Sequence, residues 1–185
     1  MRIIAGQYRG TALASVGKGD KGAHLRPTAD RVRESLFSML THYGVLHDAR
    51  VLDLFAGTGA LGLEALSRGS VHATFVDDGR IAQKLIRQNI GKLSVEEKTQ
   101  VVSRDACSLP PNDTLPFDLI FLDPPYGKDL GSRALMQAEG AGWLAQDAFV
   151  VWEEASPMRP PEGFDPVDQR KYGDTYVTLL SKSAR

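Results

Sequence analysis

Val51-Leu52-Asp53-Leu54-Phe55-Ala56-Gly57-Thr58-Gly59-Ala60-Leu61-Gly62, followed by Leu63-Glu64-Ala65-Leu66, carries the clearest structural signal in this chain. A short apolar run, a glycine-rich turn and an amphipathic helix follow one another, which is the opening of a nucleotide-binding βαβ unit. Glycines at such a turn let the backbone come close to a ligand over a helix N-terminus. Gly57, Gly59 and Gly62 match the dinucleotide fingerprint, and Asp77 stands 20 residues beyond Gly57, where an acid accepts from a ribose diol. Spacing alone therefore leaves an NAD-dependent oxidoreductase open.

On either side of this stretch the pattern alternates. Strands are predicted over 50–55, 73–77, 99–103, 117–123 and 149–154, and helices over 60–68, 81–93 and 130–138. Earlier in the chain, Thr28 can cap a helix on which Val32, Leu36, Met39, Leu40 and Tyr43 share one face, with Arg31 and Glu34 on the other. Residues 2–10 and 13–16 alternate enough for a small β-hairpin, and 15–22 form a polar, glycine-rich loop. Strand-helix alternation of this kind reads as an α/β fold, a doubly wound Rossmann-like sheet with ligands at the carboxyl ends of its strands. Asp53, Asp77, Asp105 and Asp123 all fall at such ends.

Asp53 puts a carboxylate where the charged part of a ligand belongs. It would repel a pyrophosphate, whereas S-adenosylmethionine brings an ammonium and a sulfonium that favour an anion. The same residue also reads as a strand-end acid that bonds the amides of the glycine turn. Asp105 has two readings as well, an acceptor for a ligand or a helix cap for the residues after it.

Asp123-Pro124-Pro125-Tyr126, directly after Leu119-Ile120-Phe121-Leu122, is the second motif. An aspartate normally turns its carboxylate onto backbone N–H groups just ahead, but two prolines offer none. Asp123 and the Pro124 carbonyl thus form a stiff pair of acceptors beside an aromatic ring, which suits a planar aromatic amine. Two acceptors on the hydrogens of an exocyclic NH2 favour a pyramidal nitrogen and aim its lone pair at an electrophile, while the ring stacks on the base. On its own the tetrapeptide also reads as a proline-rich turn in which Tyr126 packs.

Together these residues resemble the S-adenosylmethionine-dependent amino-methyltransferases of nucleic acid. The opening Arg2-Ile3-Ile4-Ala5-Gly6-Gln7-Tyr8-Arg9-Gly10, with Leu25-Arg26-Pro27-Thr28-Ala29-Asp30-Arg31-Val32-Arg33-Glu34-Ser35-Leu36-Phe37, is similar to the bacterial RsmD family, from residue 2 to about 182. The resemblance implies methylation of the N2 amine of one guanine in 16S ribosomal RNA, with S-adenosyl-L-methionine as donor and the RNA, small ribosomal subunit or an assembly intermediate as partner. It implies Asp123, Pro124, Pro125 and Tyr126 as the catalytic set, and Asp53, Phe55, Gly57, Gly59, Asp77 and Asp105 at the cofactor, Asp105 meeting the adenine amine. Arg9, Arg26 and Arg31 are the expected RNA contacts. It also implies that 167–171 and 176–181 pair antiparallel at the sheet edge. Where relatives carry glutamate and a further acid, this chain has Asp77 and Gly79, which shortens the ribose contact by one methylene. Relatives often end the tetrapeptide in phenylalanine, so no role is expected of the Tyr126 hydroxyl. Glu153 matches an acidic position of the family, with no role that spacing reveals.

Composition agrees with this. A chain of 185 residues with 42% hydrophobic content supports one well-buried domain and an appendage. The expected division is a basic β-hairpin extension over 1–27 and a methyltransferase domain over 28–185. Net charge is −1, yet residues 1–33 hold seven basic and two acidic residues, the imbalance of a nucleic-acid-binding arm or of a solvated basic extension. Such an arm is expected to come away without harm to the fold. Cys107 is the single cysteine, and no cysteine-histidine pattern suggests a metal. The four histidines show no acid-base arrangement. No apolar run approaches the roughly 20 residues of a membrane span, so a cytoplasmic monomer without membrane or metal is expected. Three rival functions remain at this stage: N6-adenine methylation of DNA, an NAD-dependent oxidoreductase, and a non-catalytic RNA-binding module.

Overall fold

Leu119, Ile120, Phe121 and Leu122 are all buried, so their strand must be covered on both faces, as central parallel strands are. The computed structural model describes residues 1–16 and 29–183. Its elements run α1 (Asp30–His42), β1 (Arg50–Leu54), α2 (Ala60–Ser67), β2 (His72–Val76), α3 (Arg80–Leu93), β3 (Thr99–Val102), β4 (Phe117–Leu122), α4 (Leu130–Gly140), β5 (Leu144–Glu154), β6 (Phe164–Tyr172) and β7 (Thr175–Lys182). Seven strands form one sheet in the order β3-β2-β1-β4-β5-β7-β6. β7 alone runs opposite to the other six strands. Pro166, a register shift after it and exposed charged side chains blunt β6 as an edge strand.

The sheet separates two apolar layers. On one side Leu36, Phe37 and Leu40 of α1, Leu63 of α2, and Ile86 and Ile90 of α3 pack on Val51, Phe75, Phe121, Val151 and Val177. On the other, Ala134, Leu135 and Ala138 of α4 pack on Leu52, Ile120, Leu122, Val150 and Trp152.

Two elements differ from expectation. The buried stripe of α1 is Arg33, Leu36, Phe37 and Leu40, and Tyr43 is 39% exposed. Arg33 turns inward because its Nη2 donates to Asp30 Oδ1 at 2.7 Å and to the Arg2 carbonyl at 2.6 Å, which rotates the stripe toward Phe37. β5 begins at Leu144, five residues early, because Leu144 pairs with Phe117 before a bulge in the ladder. Thr28 lies outside the described residues.

The N-terminal hairpin is reduced to one bridge, Arg2 with Ala12, and is fastened by side chains from the body. Fully buried Glu64 accepts from Ile4 N at 2.8 Å and Ala5 N at 3.1 Å. Asn89, also buried, bonds both backbone groups of Ala14 and the carbonyl of Thr58 in the glycine turn. Gly6, at φ +84°, lies so close to α2 that a Cβ would come within 1.8 Å of the Ser67 carbonyl oxygen. Ile3 and Leu13 belong to the main core. Residues 1–16 are thus packed into the folded body: cutting them away would take two backbone donors from Glu64, which keeps Arg68, and would expose core, which weighs against the expectation that removal leaves the fold intact.

Candidate active site

Strand order reverses between β1 and β4, because the chain winds outward to β3 and then returns to β4 on the other side of β1. This switch point opens a crevice at the carboxyl ends of both strands. Register pairs Leu54 with Leu122, so Phe55 and Asp123 emerge side by side, and Asp123 N reaches the Leu54 carbonyl at 3.5 Å. The two sequence motifs therefore meet.

The glycine turn leaves β1 with Phe55 at φ 60° and Gly57 at φ 59°. Asp53 is 1% exposed, and its Oδ2 accepts from Gly62 N, the first turn of α2, at 3.0 Å. Gly62 is needed for this approach: a Cβ there would lie 2.5 Å from the Phe75 ring and 3.2 Å from Asp53 Oδ2. Asp77, at the end of β2, accepts from Gly57 N at 2.9 Å and Gly79 N at 2.8 Å. It ties the turn to the next strand. Burial above all, partly offset by the Gly62 amide and reinforced by the charge of Asp77, pushes the Asp53 carboxyl up to about 8 from 3.8. Asp77 is raised as well, again chiefly by burial. Asp105 caps the short 3-10 turn Ala106–Ser108, accepting from Cys107 N at 2.8 Å.

In the second motif Pro124 is buried, Pro125 exposed and Tyr126 half-buried. The Tyr126 hydroxyl donates to Glu153 Oε1 at 3.0 Å and shares a 3.2 Å bond with Thr175 Oγ1. Burial first, with Glu153 and Asp123 adding their charge, raises the phenol above its ordinary range. The hydroxyl, from which no role was expected, has hydrogen-bond partners, and Glu153 is one of them.

The expected RNA contacts are scattered. Arg31 is exposed on α1, one turn before Ser35, whose hydroxyl meets that of Tyr172 at 2.9 Å near the β6–β7 turn. Arg9 is exposed in the hairpin tip, where Gln7 N and Tyr8 N bond to Ser67 at the far end of α2, about 12 Å of helix from the glycine turn. Arg26 lies outside the described residues. Among those residues no cluster of histidine, cysteine or acidic side chains could hold a metal ion. No helix among them is long and apolar enough to cross a membrane.

Sequence reasoning overlooked Glu64 and Asn89. Each left a signal, a polar side chain set within an apolar stripe: Glu64 between Leu63 and Ala65, and Asn89 among Leu85, Ile86, Ile90 and Leu93. Thr175 left none.

Comparison with known proteins agrees with this architecture. The family model described as conserved hypothetical protein 95 matches residues 1–181. Ribosomal RNA small subunit methyltransferase D of Escherichia coli is 41% identical over 154 residues, which span 83% of this chain and 74% of that protein. The protein of the same name from Haemophilus influenzae is 33% identical across 94% of this chain and 89% of its own length. Among solved structures, that of Escherichia coli yhhF superposes with a TM-score of 0.86 at 34% identity, covering 100% of this chain and 99% of that one. A family model across nearly the whole chain, and relatives above 30% identity matched over most of their length, establish that this methyltransferase belongs to the ribosomal RNA small subunit methyltransferase D family.

Proposed function

We propose that the chain transfers a methyl group from S-adenosyl-L-methionine to the exocyclic N2 amine of a guanine in 16S ribosomal RNA, presented as naked RNA, small subunit or assembly intermediate in the cytoplasm. The observation that carries this reading is the adjacency of Asp123 to the glycine turn across the switch point. Support for the donor comes from the acids beneath the turn. Burial above all raises the proton affinity of both Asp53 and Asp77, with Asp77 adding its charge at Asp53 and Asp78 at Asp77, so a ligand bearing an ammonium and a sulfonium relieves the site. A pyrophosphate would add to the repulsion, which speaks against the dinucleotide alternative.

S-adenosylmethionine, when bound, supplies an electrophilic methyl carbon on sulfur. Asp77 would accept from the ribose diol and Asp105 from the adenine amine, while Asp53, below the turn formed by Phe55, Gly57 and Gly59, would give up its proton as the cationic ligand arrives and then face it with a negative charge. At the acceptor end the Asp123 carboxylate and the Pro124 carbonyl take the two amine hydrogens, and Pro125 keeps the loop stiff. The ring of Tyr126 stacks on the flipped-out base. The nitrogen lone pair forms the new N–C bond as the C–S bond breaks in line, its electron pair returning to sulfur. The amine proton then leaves to Asp123 or water. In this reading the stretch 1–27 adds RNA contacts to the catalytic domain of 28–185, with Arg9, Arg26 and Arg31 on phosphates, Arg31 on the side of the crevice where Tyr126 stands and Arg9 at the far end of α2.

The test incubates the protein and labelled S-adenosylmethionine with small subunits from a strain lacking the enzyme, and then maps the modified base. Label in N2-methylguanine at a single site of 16S RNA is the expected result. Label on an adenine N6, or no transfer, overturns the reading.

A further inference from the structure

Resting on that reading, we propose that Glu153 is a positioning residue for methyl transfer: through the Tyr126 hydroxyl, and with Thr175 as second anchor, it fixes the plane on which the target base stacks. Tyr126 stands between two prolines and an exposed stretch, Gly127 to Asp129. The side-chain torsions of Tyr126 set the plane of its ring. The far end is where the two strands take hold. Glu153 on β5 accepts the hydrogen bond of the phenol at 3.0 Å, and Thr175 at the start of β7 lies 3.2 Å from the same oxygen.

Sheet geometry brings these groups to one side. Leu122 pairs with Trp152, and both face the α4 layer, so the next residues, Asp123 and Glu153, emerge toward the α1 layer. Glu153 also pairs with Val177, which faces the α1 layer, and Thr175 is two residues from Val177 on that side. Amine acceptor, clamp and stacking ring thus share one face at neighbouring strand ends. The phenol, raised above its ordinary range by burial and by the nearby carboxylates, keeps its proton for Glu153 throughout neutral pH. Phenylalanine at 126 would offer the same stacking face but no handle. Because in-line displacement needs the amine within a narrow cone of the methyl carbon, loosening the ring reduces turnover more than it reduces RNA capture.

The experiment compares Tyr126→Phe, Glu153→Gln, Glu153→Ala and the Tyr126→Phe/Glu153→Gln double variant of the full-length enzyme on small subunits. Readouts are single-turnover rate, KM for the subunit, S-adenosylmethionine affinity and melting temperature. Tyr126→Phe and Glu153→Ala are each expected to lose about 10- to 100-fold in rate, the size of one hydrogen bond to a charged group. KM and cofactor affinity should stay within about twofold. Glu153→Gln, which keeps an accepting oxygen, should be rescued in part. The double variant should be no slower than Tyr126→Phe, since both changes act through one bond. Full turnover by Tyr126→Phe overturns the proposal, as do losses that multiply in the double variant, which would assign Glu153 a separate task. A wild-type enzyme silent on the subunit yet active on another amine-bearing nucleic acid would sink the substrate reading alone. The same rate ratios, taken on that acceptor, would still decide the clamp.

Discussion

The donor and acceptor sides of the crevice are braced in opposite ways. Beneath the donor side, Asp53 and Asp77 take backbone N–H groups from residues 9, 20 and 2 positions away. At the acceptor side, Tyr126 is held by side chains 27 and 49 positions away, on β5 and β7. The first brace exists once β1, α2 and β2 have come together. The second needs the finished sheet, including its antiparallel strand. Damage to the C-terminal hairpin should therefore reach the acceptor and spare the donor.

The sharpest way to separate the two sides is Asp123→Ala. Its carboxylate is assigned to the amine as the transition state forms, so methyl transfer should fall by about 10²–10³-fold with cofactor affinity nearly unchanged. Single-turnover assays set beside calorimetric titration test this, and an active variant would remove the central assignment.

Glu64→Ala attacks the scaffold beside the donor side. It leaves two backbone N–H groups and the Arg68 guanidinium without their buried acceptor. A loss of roughly 3–5 kcal/mol is expected, lowering the melting temperature by about 10 °C. A shift of a degree or two would mean the N-terminal segment is held without Glu64, by Asn89, Ser67 and its apolar contacts.

Protonation of Asp53 gives the donor side a pH signature of its own. Its folded value of about 8 lies above the ordinary 3.8, so the native state binds the extra proton between those limits. The stability that this proton confers is complete below about pH 4 and is lost as pH rises to about 8. Ligand-free protein should melt lower at pH 8 than at pH 5, and Asp53→Asn, neutral throughout, should melt with a smaller difference. Equal differences in both proteins would contradict the burial argument.

The smallest effect is expected at Arg31. Arg31→Ala should weaken RNA binding modestly and flatten the slope of log affinity against log salt by about 0.7 to 0.9, the loss of one phosphate contact. An unchanged slope in a salt titration would make Arg31 a solvated surface charge.

Most of the fold was legible in sequence because the central strands are mainly apolar and the helices between them are amphipathic. Where the pattern misled, a polar residue was the reason. Arg33 occupies a core position that apolar spacing assigns to its neighbours, and exposed Gln146 and Asp147 interrupt β5 before its buried run. The donor side was legible because glycine turn and strand-end acids are neighbours in the chain. Asp105 kept both of its readings, since capping engages one oxygen of its carboxylate. The clamp on Tyr126 was not legible: Thr175 lies far along the chain at the start of β7, and only the pairing of β5 with β7 brings it to the ring.

One paired measurement tests the division of labour most directly: cofactor affinity by calorimetry and single-turnover transfer at saturating S-adenosylmethionine, both on Asp77→Ala and Asp123→Ala. The account predicts a crossover. Asp77→Ala should bind cofactor about 10- to 100-fold more weakly but recover most of its transfer rate at saturation, whereas Asp123→Ala should bind normally and transfer almost nothing. Parallel loss of affinity and rate in both variants would contradict it, because donor and acceptor would then be one indivisible site.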